Sequence, residues 1–100
     1  MEVIINSVHF DADQKLIDFV NKKVNKLDTF FDGIINAEVT LKILKPETPK
    51  NKISEIKIST PANGYLFAKK DGDSFEEATD LALDAMKKQL TRHKEKIKNK

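Results

Sequence analysis

The spacing of apolar residues changes twice along this chain, and that change constrains the fold more than any other feature. A helical face is predicted first, because apolar residues recur every three or four positions, at Leu16, Val20, Val24, Leu27 and Phe31. Strict alternation with polar residues then predicts a half-buried strand, with apolar residues at Ala37, Val39, Leu41 and Ile43. Helical spacing returns near the end, at Phe75, Ala78, Ala82, Met86, Leu90, His93 and Ile97.

Three more stretches predict strands: the β-rich residues 3–8, the alternating residues 53–60 and residues 65–70. The predicted order is therefore β-α-β-β-β-α in an α+β fold. Two helices can cover only one face of a sheet, so we expect two layers, a four-stranded mixed sheet with both helices on one face and the other face solvated. The first two strands should be parallel neighbours joined by a right-handed crossover.

Three residues are predicted to mark helix ends. Asp13 and Ser74 are of the types that cap helix N-termini, because their side-chain oxygens accept hydrogen bonds from free amides. Gly33 follows the first helical stripe and is predicted to end that helix. In the last strand, Tyr65 and Phe67 share a face with Lys69, where they would either pack across strands or stack on bases.

Positive charge is concentrated at the C-terminus. The last fourteen residues carry seven Lys or Arg and one Glu, although the whole chain has a net charge of only +2. The first half of the final helix is acidic instead. This polarity has two explanations: the charges complement the helix dipole, or the basic end faces a polyanion.

Catalytic and metal-binding chemistry has little support in this sequence. There is no cysteine, so disulfides, thiol catalysis and zinc–thiolate sites are excluded. Gly33, Gly64 and Gly72 are too far apart for a phosphate-cradling loop, and His9 and His93 have no partners at metal-ligand spacing. We therefore predict a cytoplasmic binding protein of one domain, residues 1–100, that is not an enzyme and has no cofactor, metal, small-molecule substrate or membrane contact.

Residues 60–96 resemble the end of short ribosome hibernation promoting factors, also called ribosome-associated inhibitor or sigma-54 modulation proteins. The shared features are Asn63-Gly64, Ala68, Ala78-Thr79-Asp80, Gln89-Leu90 and His93-Lys94-Glu95-Lys96. The first helix resembles the family through Val20, Lys26 and Leu27. The chain departs from the family at Ser74-Phe75-Glu76, where Asp-Met-Tyr is frequent.

The resemblance implies a domain similar to double-stranded RNA-binding domains. It also implies that the protein binds rRNA of the small ribosomal subunit in the mRNA and tRNA channel, and inhibits translation in bacteria under stress or in stationary phase. Long members of the family carry a further C-terminal domain that pairs ribosomes. We expect none here, and we expect a monomer off the ribosome.

The resemblance also places candidate rRNA contacts on three elements. In the first helix they are Lys22, Lys23 and Lys26, and at the end of the last strand Lys69 and Lys70. In the final helix they are Lys87, Lys88, Arg92, Lys94 and Lys96, with Lys98 and Lys100 as additions.

Two other functions remain open at this point. The chain could be a protein-interaction module that modulates a sigma factor through the acidic residues Glu76, Glu77, Asp80 and Asp84. Alternatively, it could be a general double-stranded RNA-binding domain.

Overall fold

Four strands form one sheet in the order in which they occur along the chain. The computed structural model describes residues 1–44, 47–61 and 64–98, with side chains described to residue 92. The strands are β1 (Glu2–Val8), β2 (Asn36–Ile43), β3 (Lys52–Thr60) and β4 (Gly64–Gly72). β1 and β2 pair in parallel, and the other two pairings are antiparallel. The predicted mixed sheet is confirmed, including its parallel first pair.

The helices are α1 (Gln14–Asn25), the one-turn α2 (Leu27–Phe30) and α3 (Phe75–Lys98). Together they cover one face of the sheet, where apolar side chains of α1 and α3 are buried against the strands. At the centre, Val39, Ile56 and Ala68 lie side by side on three successive strands. Side chains alternate along each strand, and no helix within the described residues packs on the opposite face, here called the open face. The predicted two-layer α+β fold is therefore confirmed.

The prediction that one helix runs to Gly33 is wrong. α1 ends at Asn25, and the amide of Lys26 bonds to the carbonyl of Lys23, three residues back, at 3.3 Å. Side chains compete with backbone amides for the backbone carbonyls here. The side-chain amide of Asn25 donates to the carbonyl of Asn21, and the Thr29 hydroxyl donates to the carbonyl of Lys26. After α2, Phe31 becomes extended and is buried in the core, as is Ile34. Gly33 has a φ of +92° and lies in the turn that leads into β2, where it does not cap a helix.

Both predicted N-caps are confirmed. The Asp13 carboxylate accepts a hydrogen bond from the amide of Leu16 at 2.9 Å, and the Ser74 hydroxyl accepts one from the amide of Glu77 at 3.1 Å. Just before the second cap, β4 and α3 approach each other at Gly72, where an added Cβ would lie 3.1 Å from the amide nitrogen of Ala78. The absence of a side chain at this position allows α3 to begin directly on the end of β4.

A buried hydrogen bond joins α3 to the centre of the sheet. The Thr79 hydroxyl donates to the Ser54 hydroxyl on β3 at 3.1 Å, and neither residue is exposed to solvent. A buried hydroxyl without a partner costs free energy because it has lost its water. This bond therefore fixes the position of α3 relative to β3 and contributes to stability.

We expect Thr79→Val to lower the free energy of unfolding by about 1–3 kcal/mol, because it leaves the Ser54 hydroxyl buried and unpaired. The double variant Thr79→Val/Ser54→Ala removes both polar groups and should lie within about 1 kcal/mol of the parent protein. Chemical denaturation of the parent, both single variants and the double variant measures this coupling. Simple addition of the two single effects would contradict it.

Candidate nucleic-acid interface

Three basic side chains line one groove between β4 and α3, here called the cationic groove. They are Lys70 from β4 and Lys88 and Arg92 from α3. The groove is completed by Leu81, Asp84, Ala85 and Gln89. Three cations therefore face a single carboxylate, and the groove is positively charged.

The strand register explains why Lys70 reaches this groove. Lys70 lies opposite Ser54 and follows Ala68 by two residues, so it projects from the helix-covered face of the sheet. On α3, Lys88 and Arg92 are four residues apart and therefore occupy neighbouring turns on one side of the helix. Both are exposed. Within the described side chains, no carboxylate forms an ion pair with any of the three cations. Their charge remains available to an external anion.

The other basic residues of the helices lie toward α1. Lys23 forms an ion pair with Asp80 of α3 at 3.8 Å, which joins the end of α1 to the acidic part of α3. Lys87 comes seven residues, or about two turns, after Asp80, and so lies on this same side of α3. Lys22 and Lys26 are exposed at the end of α1. These four lysines form a second basic area on the α1 side of α3, whereas the cationic groove lies on its β4 side.

Lys69 lies on the open face, away from its sequence neighbour Lys70. Its ammonium is 3.9 Å from the Glu55 carboxylate, which also pairs with Lys42 at 3.1 Å. The structure therefore places the two β4 lysines on opposite sides of the sheet. The side chains of Lys94, Lys96 and His93 lie outside the described part of the chain, as do that of Lys98 and residues Asn63 and Lys100.

Two aromatic side chains, here called the aromatic pair, are exposed on the open face. Tyr65 is 65% exposed and Phe67 is 51% exposed. The Lys57 ammonium lies 4.1 Å from the centre of the Tyr65 ring, which is within the range of a cation–π contact. Lys57 is not among the candidate contacts named from the sequence. Alternation along residues 53–60 places it on the same face as Glu55 and Ser59, but the contact with Tyr65 depends on the register between β3 and β4.

A hydrogen bond ties the cationic groove to the aromatic strand. The Gln89 side-chain amide on α3 donates to the main-chain carbonyl of Phe67 at 2.7 Å. This carbonyl belongs to the edge strand of the sheet, so the bond occupies an acceptor that would otherwise face solvent. The groove and the aromatic pair therefore lie on either side of the same strand edge.

Other kinds of site lack support in the described structure. Among the described side chains, which belong to residues 1–44, 47–61 and 64–92, no three histidine, aspartate or glutamate residues are grouped so that they could hold a metal ion. None of the helices in these ranges combines the length and hydrophobicity that a bilayer-spanning segment needs. The arrangement can instead offer cations and aromatic rings to a partner.

Comparison with known proteins identifies relatives that match nearly the whole chain. A family model described as sigma 54 modulation protein / S30EA ribosomal protein matches residues 3–98. A ribosome hibernation promoting factor of Pseudomonas putida is 32% identical over 96 residues, which cover 96% of this chain and 89% of that protein. A ribosome hibernation promoting factor of Escherichia coli is 29% identical over 98 residues, which cover 98% of this chain and 98% of that protein.

A solved structure supports the same fold. A ribosomal subunit interface protein from Coxiella burnetii superposes with a TM-score of 0.82 at 21% identity, covering 94% of this chain and 98% of its own. The match of the family model to almost every residue, together with the relatives of similar length, establishes that the chain belongs to the sigma 54 modulation protein / S30EA ribosomal protein family.

Proposed function

We propose that this protein is a ribosome hibernation factor that binds rRNA of the small ribosomal subunit. In this proposal it occupies the channel used by mRNA and tRNA and inhibits translation in the cytoplasm under stress or in stationary phase. The names of the relatives support the hibernation role. The cationic groove is the observation that carries the rRNA part.

The chemistry of the groove favours phosphate. Arg92 can bind a phosphate oxygen pair with its planar guanidinium, while Lys70 and Lys88 supply point charges on either wall. Phosphate contacts fix position without selecting a base sequence. The groove would therefore recognise the rRNA backbone and its shape.

The second basic area and the form of the molecule also fit an RNA-lined channel. Lys22, Lys26 and Lys87 would meet a different stretch of backbone from that in the groove. The molecule measures 49 × 23 × 18 Å along its principal axes and is thus elongated. An elongated domain with cations on more than one side can contact opposite walls of a channel.

Co-sedimentation with separated ribosomal subunits tests the proposal. The purified protein should sediment with the small subunit and not with the large one. Binding should weaken steeply as salt rises, because each phosphate contact releases counterions. Small subunits already loaded with mRNA and tRNA should bind less protein.

Three outcomes would contradict the proposal. Absence of binding to either subunit would remove the ribosomal role. Equal affinity for free duplex RNA and for the small subunit would indicate a general double-stranded RNA-binding domain. Co-purification with a sigma factor that survives nuclease and moderate salt would indicate a protein-interaction module.

A further inference from the structure

The aromatic pair has the spacing and exposure of a stacking platform. Tyr65 and Phe67 are two residues apart on β4, so they project from the same face at a spacing of about 7 Å. Both residues are more than half exposed, although both are large and aromatic. Their rings contribute little to the core, which lies on the other face of the sheet.

Polar groups surround the Tyr65 ring. Two shallow hollows flank it, one bordered by Ile4 and the other by Ile35, and both are lined by Asn36 and Ser59. An amide and a hydroxyl beside an aromatic ring offer both donors and acceptors to the edge of a nucleobase. Apolar walls on either side would contact the flat face of the base.

Charge on the open face is balanced around the aromatic pair. Glu55 is paired with Lys42 and Lys69, and Glu38 lies opposite Lys57 in the β2–β3 register. Glu38 also lines the hollow bordered by Ile4, and the charges of these five residues sum to +1, so this area carries no net negative charge. Lys57 lies over one face of the Tyr65 ring, so a base would stack on the other face, and Lys69 follows Phe67 by two residues on β4. Both ammonium groups could contact phosphates of the stacked segment.

The cationic groove continues this surface around the edge of β4. Gln89 holds α3 against the carbonyl of Phe67, so the groove begins directly behind the strand that carries the rings. Two adjacent residues of β4 contribute cations to the two surfaces, since Lys69 projects from the open face and Lys70 projects into the cationic groove. One chain of RNA can therefore contact both sides across a single strand.

We propose that the open face binds unpaired bases of a single-stranded RNA segment, stacked on Tyr65 and Phe67, whose phosphates continue into the cationic groove. This inference rests on the proposed function, because it takes RNA to be the partner. A duplex keeps its base faces stacked inside and cannot offer them to the rings. The structure thus favours a looped-out or terminal RNA segment at β4 over a continuous helix.

Binding of short fluorescent oligouridylate and oligoadenylate, with an RNA duplex as comparison, tests the inference. The double variant Tyr65→Ala/Phe67→Ala should weaken single-strand binding about 30-fold or more, because each base–aromatic stack contributes at least about 1 kcal/mol. Tyr65→Leu/Phe67→Leu should lose affinity similarly, since it keeps apolar area but removes the rings. Tyr65→Phe/Phe67→Tyr should retain binding, and duplex binding should change little in all three variants.

Several results would overturn the inference, and they are distinct from failure of the proposed function. No single-strand binding by the parent protein would overturn it, as would full affinity in the alanine or leucine variants, even if co-sedimentation with the small subunit succeeds. A parent protein that self-associates in analytical ultracentrifugation, and loses this on Tyr65→Ala/Phe67→Ala, would instead assign the face to a second copy of the chain. Retained ribosome binding in the leucine but not the alanine variant would indicate an apolar protein contact.

Discussion

The double variant Lys88→Glu/Arg92→Glu is expected to lose most of its affinity for the small ribosomal subunit. Its plot of log affinity against log salt concentration should also become shallower by roughly 1.4–1.8 units, because each lost phosphate contact removes about 0.7–0.9 of slope. The two residues lie on one wall of the cationic groove and are exposed, so the change acts on binding and hardly on the core. Co-sedimentation across a salt series measures both quantities.

A control variant with the same change of charge separates the groove from the net charge of the protein. Lys15→Glu/Lys50→Glu also replaces two exposed cations by anions, but Lys15 lies in the first turn of α1 and Lys50 in the turn before β3. This variant should keep a salt slope close to that of the parent. An equal loss of slope in both variants would mean that long-range charge, and not the groove, governs binding.

Ile56→Ala is expected to produce the largest loss of stability among the changes considered. Ile56 is fully buried on the helix-covered face of β3, between Val39 and Ala68 of the flanking strands. Truncating a buried isoleucine costs about 2–5 kcal/mol, from lost burial and the cavity left behind. For a domain of this size that corresponds to a fall of at least about 8 °C in Tm.

Ile35→Ala provides the matched comparison, since it removes the same atoms from a side chain that is 56% exposed. Its Tm should change by no more than a few degrees, because surface substitutions are usually within about 0.5 kcal/mol. Thermal unfolding followed by circular dichroism measures both variants. Similar losses at the two positions would show that the β3 face is not the centre of the core.

Local patterns in the sequence predict the order of the strands and the two long helices, and which side chains share a face of a strand, but not which face of the sheet is exposed. Alternation along residues 37–43 predicts which side chains are buried in β2, because a strand has only two faces. The same rule applied to residues 69 and 70 separates Lys69 from Lys70, although the two were proposed as neighbouring contacts. The caps at Asp13 and Ser74 were also predictable, since each depends on a hydrogen bond between residues only three positions apart in the sequence.

Features that depend on distant parts of the chain were not predictable in this way. The bond from Gln89 to the Phe67 carbonyl requires the position of α3 over β4, and the contact of Lys57 with Tyr65 requires the register of two strands. The break at Lys26 was missed for another reason. The apolar spacing continues through Leu27 and Phe31, and it carries no signal for side chains that compete for backbone carbonyls.

The sequential order of the strands has a consequence for how the molecule forms and opens. Each strand pairs with its neighbour in sequence, and α3 packs mainly on the two strands that precede it. Contacts between segments close in sequence require little loop closure, so the part from β3 to α3 can assemble early and resist hydrogen exchange longest. The edge strand β1 joins only through a crossover and is expected to detach first. Since the cationic groove and the aromatic pair both belong to residues 65–92, these two parts of the proposed RNA surface would persist through such partial unfolding, whereas the hollow bordered by Ile4 would be lost.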